Sequence, residues 1–228
     1  MLLTRYLSKR FLSTFKYIKR TDFDKQVWVN GKGVTYEIDR KEETKKDDDP
    51  NSLDWQWRIS QADLNSPGGP FSKIAGVDRI LILLEGDGIS LDVNGAGHQQ
   101  LLLHEPRLFP ADVETDCIVT SETGKDLNIM YNRETCNAFV SVITGSKSSV
   151  QIPCGTETAF AIALSNAVSI EFDKGGTGNL IETHNLMNTE ALKFMNPSQK
   201  DTISVGESNE GSPSTACIVC FVPSPKYS

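Results

Sequence analysis

Arginines, amides and carboxylates are the residues of this 228-residue chain whose settings suggest chemistry. Arg58 interrupts an otherwise apolar and aromatic stretch, Trp57-Arg58-Ile59. A guanidinium in such a place needs an anionic partner, because a buried unpaired charge is very costly. That partner is either a carboxylate of the protein, giving a structural network, or the carboxylate of a ligand held in bidentate fashion. Asn128 and Met130 lie two apart and share one face of an extended segment, and Arg133 follows them. Trp28, Asn30 and Thr35 surround a turn containing Gly31 and Gly33. There they would wall a pocket and supply amide and hydroxyl hydrogen bonds, although tight-turn geometry alone would account for the glycines. Glu37 or Glu85 would act as a general base if buried beside an apolar wall. Glu85 opens the turn Glu85-Gly86-Asp87-Gly88, where solvation is the expectation.

Other chemistries assemble poorly. The three histidines, His98, His104 and His184, form no H-x-H pair, and the first two lie in a polar Gly/Gln-rich region. Ser60 and Ser72 have no histidine near them in sequence, and no G-x-S-x-G elbow exists. The glycine-rich run Asp173–Gly178 lacks the strand–loop–helix setting of a phosphate cradle. Five cysteines, an odd number without a secretory signal, favour a reduced, intracellular protein. Cys217 and Cys220 read formally as C-x-x-C but sit in the strand-like run ACIVCFV. Residues three apart on a strand point to opposite faces, so these thiols could not share a metal or close a bridge. No second C-x-x-C completes a zinc site.

The elements that must position these residues are strands. Short apolar runs alternate with Gly, Pro, Asn and Asp at close intervals, which predicts an all-β sandwich or barrel. Strands are expected at 33–38, 55–62, 79–84, 89–93, 117–120, 137–144, 149–152, 159–164, 168–172 and 216–222. A turn or two of helix is expected at 188–194. Lys41–Asn51 is nearly all charge and reads as a solvated inserted loop, and Gly206–Ser214 as a second polar loop. Hydrophobic content of 38% and charged content of 23% fit a globular chain. A net charge of −7 argues against nucleic-acid binding, and no apolar run reaches the ~18 residues of a membrane helix. The first 20 residues hold six cations and no acid, leaving the remainder six units more negative than the net −7. MLLTRYLSKRFLSTF reads as an amphipathic, Arg-bearing, acid-free segment. It is either a mitochondrial transit segment or a plain N-terminal extension of residues 1–14, with Lys16, Lys19 and Arg20 going to the first strand.

Four ordered blocks carry a resemblance. They are Trp28-Val-Asn-Gly-Lys-Gly-Val-Thr-Tyr-Glu-Ile38 and Trp57-Arg-Ile-Ser-Gln-Ala62. Next comes Gly69-Pro-Phe-Ser72 with Gly76-Val-Asp-Arg79 and Leu83-Leu-Glu-Gly-Asp-Gly88, and last Asp126-Leu-Asn-Ile-Met130 with Arg133. Together they are similar to the HutD/Ves family over residues 16–133. Lys32 interrupts that family's glycine run, Ile74 replaces a Phe, and the charged loop is an insertion. The resemblance implies a cupin-like β-barrel of the bicupin kind, two jelly-roll-like halves packed as one unit. Residues 15–135 would form the first half and 136–228 the second. It also implies an intracellular protein tied in bacteria to histidine utilisation, with no established catalytic activity.

Most cupin enzymes hold a metal through H-x-H, a Glu and a further His. Counting back from Gly86, the Glu position falls near Arg79 and the H-x-H pair near Ser72 and Ile74. A guanidinium cannot ligate a metal and Ile has no lone pair, so the barrel is expected to carry neither metal nor cofactor. Arg79, facing inward, would meet Asp78, Glu85 or Glu37, or a ligand carboxylate. The expectation is a metal-free protein binding a small carboxylate from histidine breakdown, in a regulatory or buffering role. Arg58, Arg79 and Arg133 would hold carboxylates, Asn30 and Asn128 would orient, Thr35 would hydrogen-bond and Trp28 would pack on the ligand. The alternatives are a metal-independent isomerase or epimerase using Glu37 or Glu85, and a barrel that binds nothing. The expected partner is that small acid, with no nucleic acid and no membrane; a homodimer is compatible. The expected location is the cytoplasm, or the mitochondrial matrix if the first segment is a transit signal.

Overall fold

The structure is a computed structural model that describes residues 14–28, 33–44, 52–145, 148–165, 167–178, 181–206 and 213–225. Strands β1 (Thr14–Ile18), β2 (Asp24–Val27), β3 (Gly33–Glu42), β4 (Trp55–Asn65), β5 (Gly68–Pro70), β6 (Val77–Glu85) and β7 (Ile89–Val93) come first. Then follow β8 (Gln99–Leu101), β9 (Pro106–Pro110), β10 (Thr115–Val119) and β11 (Thr123–Asn132). The later strands are β12 (Cys136–Thr144), β13 (Ser149–Gln151), β14 (Thr158–Ala163), β15 (Ala167–Asp173), β16 (Ile181–Met187), β17 (Ala191–Met195), β18 (Thr202–Val205) and β19 (Thr215–Pro223). A three-residue 3-10 turn at Arg20–Asp22 is the one helical element among the described residues. No helix there is long and apolar enough to cross a membrane.

Each half is a pair of sheets. The first half stacks a six-stranded sheet, β2-β3-β4-β11-β6-β9, on a four-stranded one, β5-β10-β7-β8. The second stacks a five-stranded sheet, β1-β17-β14-β19-β12, on a four-stranded one, β13-β18-β15-β16. The two larger sheets share one apolar cluster, which covers their central strands on the side facing the other half. Strand alternation sorts the side chains. In β6, Ile80, Ile82 and Leu84 pack toward the second half, while Leu81 and Leu83 fill the first barrel. In β19, Cys217, Val219 and Phe221 face the first half while Ala216, Ile218 and Cys220 face the second barrel. The two thiols of the C-x-x-C therefore do lie on opposite faces. Trp57 is 2% exposed and stacks on Phe221 with ring centroids 4.5 Å apart, joining the halves.

The sheets place β2–β11 in the first half and β12–β19 in the second. The N-terminal strand departs from chain order. β1 pairs antiparallel with β17, Phe15 opposite Phe194, and so belongs to the second half's larger sheet. Lys16 lies in β1, whereas Lys19 and Arg20 fall at the 3-10 turn. Residues 1–13, the body of the basic segment, lie outside the described residues, as do 45–51 of the charged loop and 207–212 of the later one. The helix expected at 188–194 is absent: Thr189 turns the chain with φ 67° and β17 follows. Ala191, Leu192 and Phe194 are buried, and pairing to β1 and β14 overrides any local helical preference.

Candidate functional site

A cavity of about 570 Å³ opens inside the first half, between its two sheets. Three strands of the larger sheet supply its polar wall through their inward positions. β4 gives Arg58 and Ser60, β6 gives Arg79, and β11 gives Asp126, Asn128 and Met130. Of the residues singled out in the sequence, Trp28, Thr35, Arg58, Arg79 and Asn128 line it. Asn30 lies outside the described residues.

Arg79 is 5% exposed, and no carboxylate is within ion-pairing distance of it among the described residues. Neither Asp78, Glu85 nor Glu37 is its partner. The guanidinium carbon lies 4.6 Å from the Phe71 ring centre and 5.9 Å from that of Phe109. One long hydrogen bond runs from Nη2 to the Ser72 carbonyl at 3.4 Å, and the buried Nε has no partner. Burial pulls its pKa down to about 10, against the opposing pull of the Asp126 carboxylate. A desolvated cation–π contact returns about 2 kcal/mol, while burying an ion costs several. The rings alone therefore leave Arg79 short of a counter-charge.

Arg58 is settled differently. Its Nε sits 2.6 Å from Glu37 Oε2, off the hydrogen-bonding axis, and Nη2 donates to Gln26 Oε1 at 3.2 Å. Glu37 is also 3.6 Å from Arg40 Nε. Its carboxylate is thus spent on arginines and does not line the cavity. Glu85 pairs with Lys125 at 2.7 Å, is half-exposed and is likewise outside it. Neither glutamate occupies the general-base position considered from sequence.

Trp28 and Thr35 form one unit: the indole Nε1 donates to Thr35 Oγ1 at 2.8 Å. Gly33 makes that unit possible. A Cβ there would lie 2.7 Å from the Asp63 carbonyl and 2.9 Å from the Trp28 ring. Arg133, expected at the site, is elsewhere. It bridges Asp78 at 2.8 Å and Asp112 at 2.7 Å and donates to the Val77 carbonyl. It follows Asn132, the last residue of β11, and so lies past the alternation that turns positions 126, 128 and 130 inward.

Asp126 escaped the sequence reading although it stands in the quoted Asp126-Leu-Asn-Ile-Met130 block. It is fully buried, and burial pushes its pKa up to about 7 despite Arg79 and the Asn128 amide, which favour the charged form. Asn128 Nδ2 donates to Asp126 Oδ1 at 2.5 Å, whereas Asp126 Oδ2 and Asn128 Oδ1 have no partner. Its parity with Asn128 and Met130 was the available signal. Cys117 also lines the cavity, with burial pushing its thiol up to about 12, so it is no ready nucleophile.

Ser72, Ile74 and Arg79, which stand where a cupin metal site would be, all line this cavity. Their donor set does not fit a divalent metal: a guanidinium and a hydrocarbon offer no lone pair. No described histidine lines the cavity, and no three His, Cys, Asp or Glu side chains cluster as metal ligands among the described residues.

Two stacked β-sandwiches with a polar cavity in one define a cupin-like β-barrel protein. Bacterial pirin from Escherichia coli, solved in complex with nickel(II), shares that fold at a TM-score of 0.59 and 10% identity, covering 92% of this chain and 99% of that one. The family described as HutD matches residues 20–207, and the chain belongs to it. HutD from Pseudomonas fluorescens SBW25, solved in a formate condition, superposes at a TM-score of 0.71 with 22% identity, covering 92% of this chain and all of that one. A conserved protein of unknown function from Pseudomonas aeruginosa PAO1 superposes at 0.74 with 23% identity, with the same coverage. In sequence, the uncharacterized 21.2 kDa protein of the hutC 3′ region of Pseudomonas putida is 29% identical over 160 residues, 70% of this chain and 78% of that protein. Protein Ves of Citrobacter koseri is 35% identical over 117 residues, 51% of this chain and 57% of Ves.

Proposed function

We propose that the first-half cavity binds a small carboxylate without a metal, and that the role is regulatory or buffering. The observation that carries this is Arg79: buried, set against two rings, with Nε unpartnered and its charge only partly offset. A carboxylate oxygen at Nε and Nη would complete it with charge-assisted hydrogen bonds. Asn128 Oδ1 and the Ser60 hydroxyl would orient the rest of the molecule, and Trp28 would pack on it. The hut-region relative makes an acid from histidine breakdown the first class to try. An isomerase or epimerase reading would need its acid–base group in this cavity, and Asp126 is the carboxyl that lies there.

Calorimetric titration with urocanate, formate and glutarate tests the reading. Binding should appear with at least one of them and weaken roughly tenfold or more in Arg79→Gln, a loss of about 1.4 kcal/mol or greater. No heat with any acid, or equal affinity in Arg79→Gln, would sink it.

A further inference from the structure

We propose that Asp126 takes up a proton when the cavity accepts an anion, so that anion binding by this chain is coupled to protonation of one buried carboxyl. This rests on the carboxylate reading above and adds a role for a residue that reading does not use.

Asp126 is short of partners: the Ala62 backbone N–H and the Asn128 amide favour its charged form, yet one oxygen keeps no hydrogen bond of its own. Its side chain is fully buried and lines the same cavity as Arg79. Oδ1 is engaged by Asn128, but Oδ2 has no partner. The charged and titratable groups around it come from β3, β4, β6, β10 and β11, while β5 (Gly68–Pro70) supplies none. Arg79 on β6 attracts it and Asp63 on β4 repels it. Arg58 on β4 is committed to Glu37 on β3. Lys125, next to it on β11, is committed to Glu85. Cys117 on β10 stays a thiol. Arg79 is thus the cation that favours the ionised form of Asp126, and Asp126 is the anion that favours charged Arg79.

An incoming carboxylate changes both relations. It takes Arg79 as its own partner and sets a second negative charge beside Asp126. Two carboxylates sharing a low-dielectric site do not both stay ionised; one holds a proton, and the pair titrates as a unit. Asp126 is the one that burial already favours in the neutral form. The proton comes from solvent and settles on Oδ2, the atom without a partner. No other bond changes. Oδ2 thereby turns from an unsatisfied acceptor into a donor, able to hydrogen-bond the anion. The direction with pH follows. Below about pH 7 the carboxyl is already protonated and affinity is level. Above it each anion must bring a proton, so affinity falls by up to tenfold per pH unit.

Isothermal titration with formate and propionate in HEPES and in Tris, from about pH 6 to 8.5, tests this. The wild-type chain should take up close to one proton per anion near pH 8 and lose affinity steadily above neutrality. Asp126→Asn, which keeps the shape and offers an N–H for the O–H, should bind with no proton uptake and level affinity. Level wild-type affinity with no buffer-dependent heat overturns the coupling and leaves the carboxylate reading standing. Proton uptake that persists in Asp126→Asn also overturns it. No heat with either acid at any pH overturns both. If Asp126→Asn does not fold, difference infrared spectra of the wild type decide. A protonated-carboxyl band gained on formate addition at pH 8 supports the coupling, and its absence overturns it.

Discussion

At the scale of single residues, three charged side chains line the site, Arg58, Arg79 and Asp126, and of the two arginines Arg79 alone is left without a close carboxylate. Glu37 holds Arg58 back, with its side chain 12% exposed and Arg58's 21%. Glu37→Gln should therefore free Arg58 as a second cation: carboxylates, dicarboxylates most of all, should bind more tightly while the melting temperature drops. Calorimetry and a thermal melt check it, and an unchanged affinity would show that Arg58 cannot turn toward the ligand. Asp126 makes its own mark on stability. Its folded pKa lies above the ordinary carboxylate value, so the folded chain binds more protons than the unfolded one between about pH 4 and 7. Stability should fall as pH rises through that window, and this part of the slope should vanish in Asp126→Asn. Arg133 belongs to another ledger: Arg133→Ala should cost about 1 kcal/mol in denaturant unfolding and leave binding unchanged, since its ion pairs are partly exposed.

At the scale of elements, the larger sheet of the first half is both wall and instrument. β4, β6 and β11 each send one face into the seam between halves and the other into the barrel. Where the inward face is apolar, as in Leu81 and Leu83, the strand is readable in sequence. Where it carries Asp126, Asn128 and Met130, the alternation is broken and β11 as a whole is not recognisable as a strand, although the pair at 128 and 130 was. The residues that make the site are those that blur the pattern of the element holding them. Arg58 was legible because a charge in an apolar run demands an explanation, Asn128 because it shares a face with Met130, Trp28 and Thr35 because they flank a glycine turn, and Arg79 because it stands at the metal-ligand position of the resembled fold. Arg133 misled because its companions Asn128 and Met130 are inward and it is not. The 188–194 segment misled because its strand character comes from partners far away in sequence. Gly33 tests the element directly. Gly33→Ala should displace the Trp28–Thr35 unit, shift tryptophan emission and destabilise by roughly 1–3 kcal/mol.

At the scale of the whole molecule, the two halves share one seam and differ inside. The second barrel is packed with side chains such as Phe172 and Phe194, stacked at 4.7 Å, while the first keeps a cavity. Titration should accordingly saturate at one anion per chain. The seam is closed by Trp57 between Phe160 and Phe221, and by Lys193, whose Nζ lies 2.6 Å from Asp39. Trp57→Ala should cost about 3–5 kcal/mol and lower the stability of both halves together, read as a single shifted transition rather than two.

The pairing of β1 with β17 bears on how the chain comes to be folded as it is made. Thr14–Ile18 leaves the ribosome before every other described strand, yet the strand it pairs with begins at Ala191. The first sandwich has all its strands by Asn132 and can close while synthesis continues. The second must wait, and its opening strand waits with it, held apart by the whole of the first. A nascent chain arrested once Asn132 has cleared the ribosome should thus hold a finished cavity while Thr14–Ile18 still lacks its partner strand, as limited proteolysis of such arrested chains would reveal.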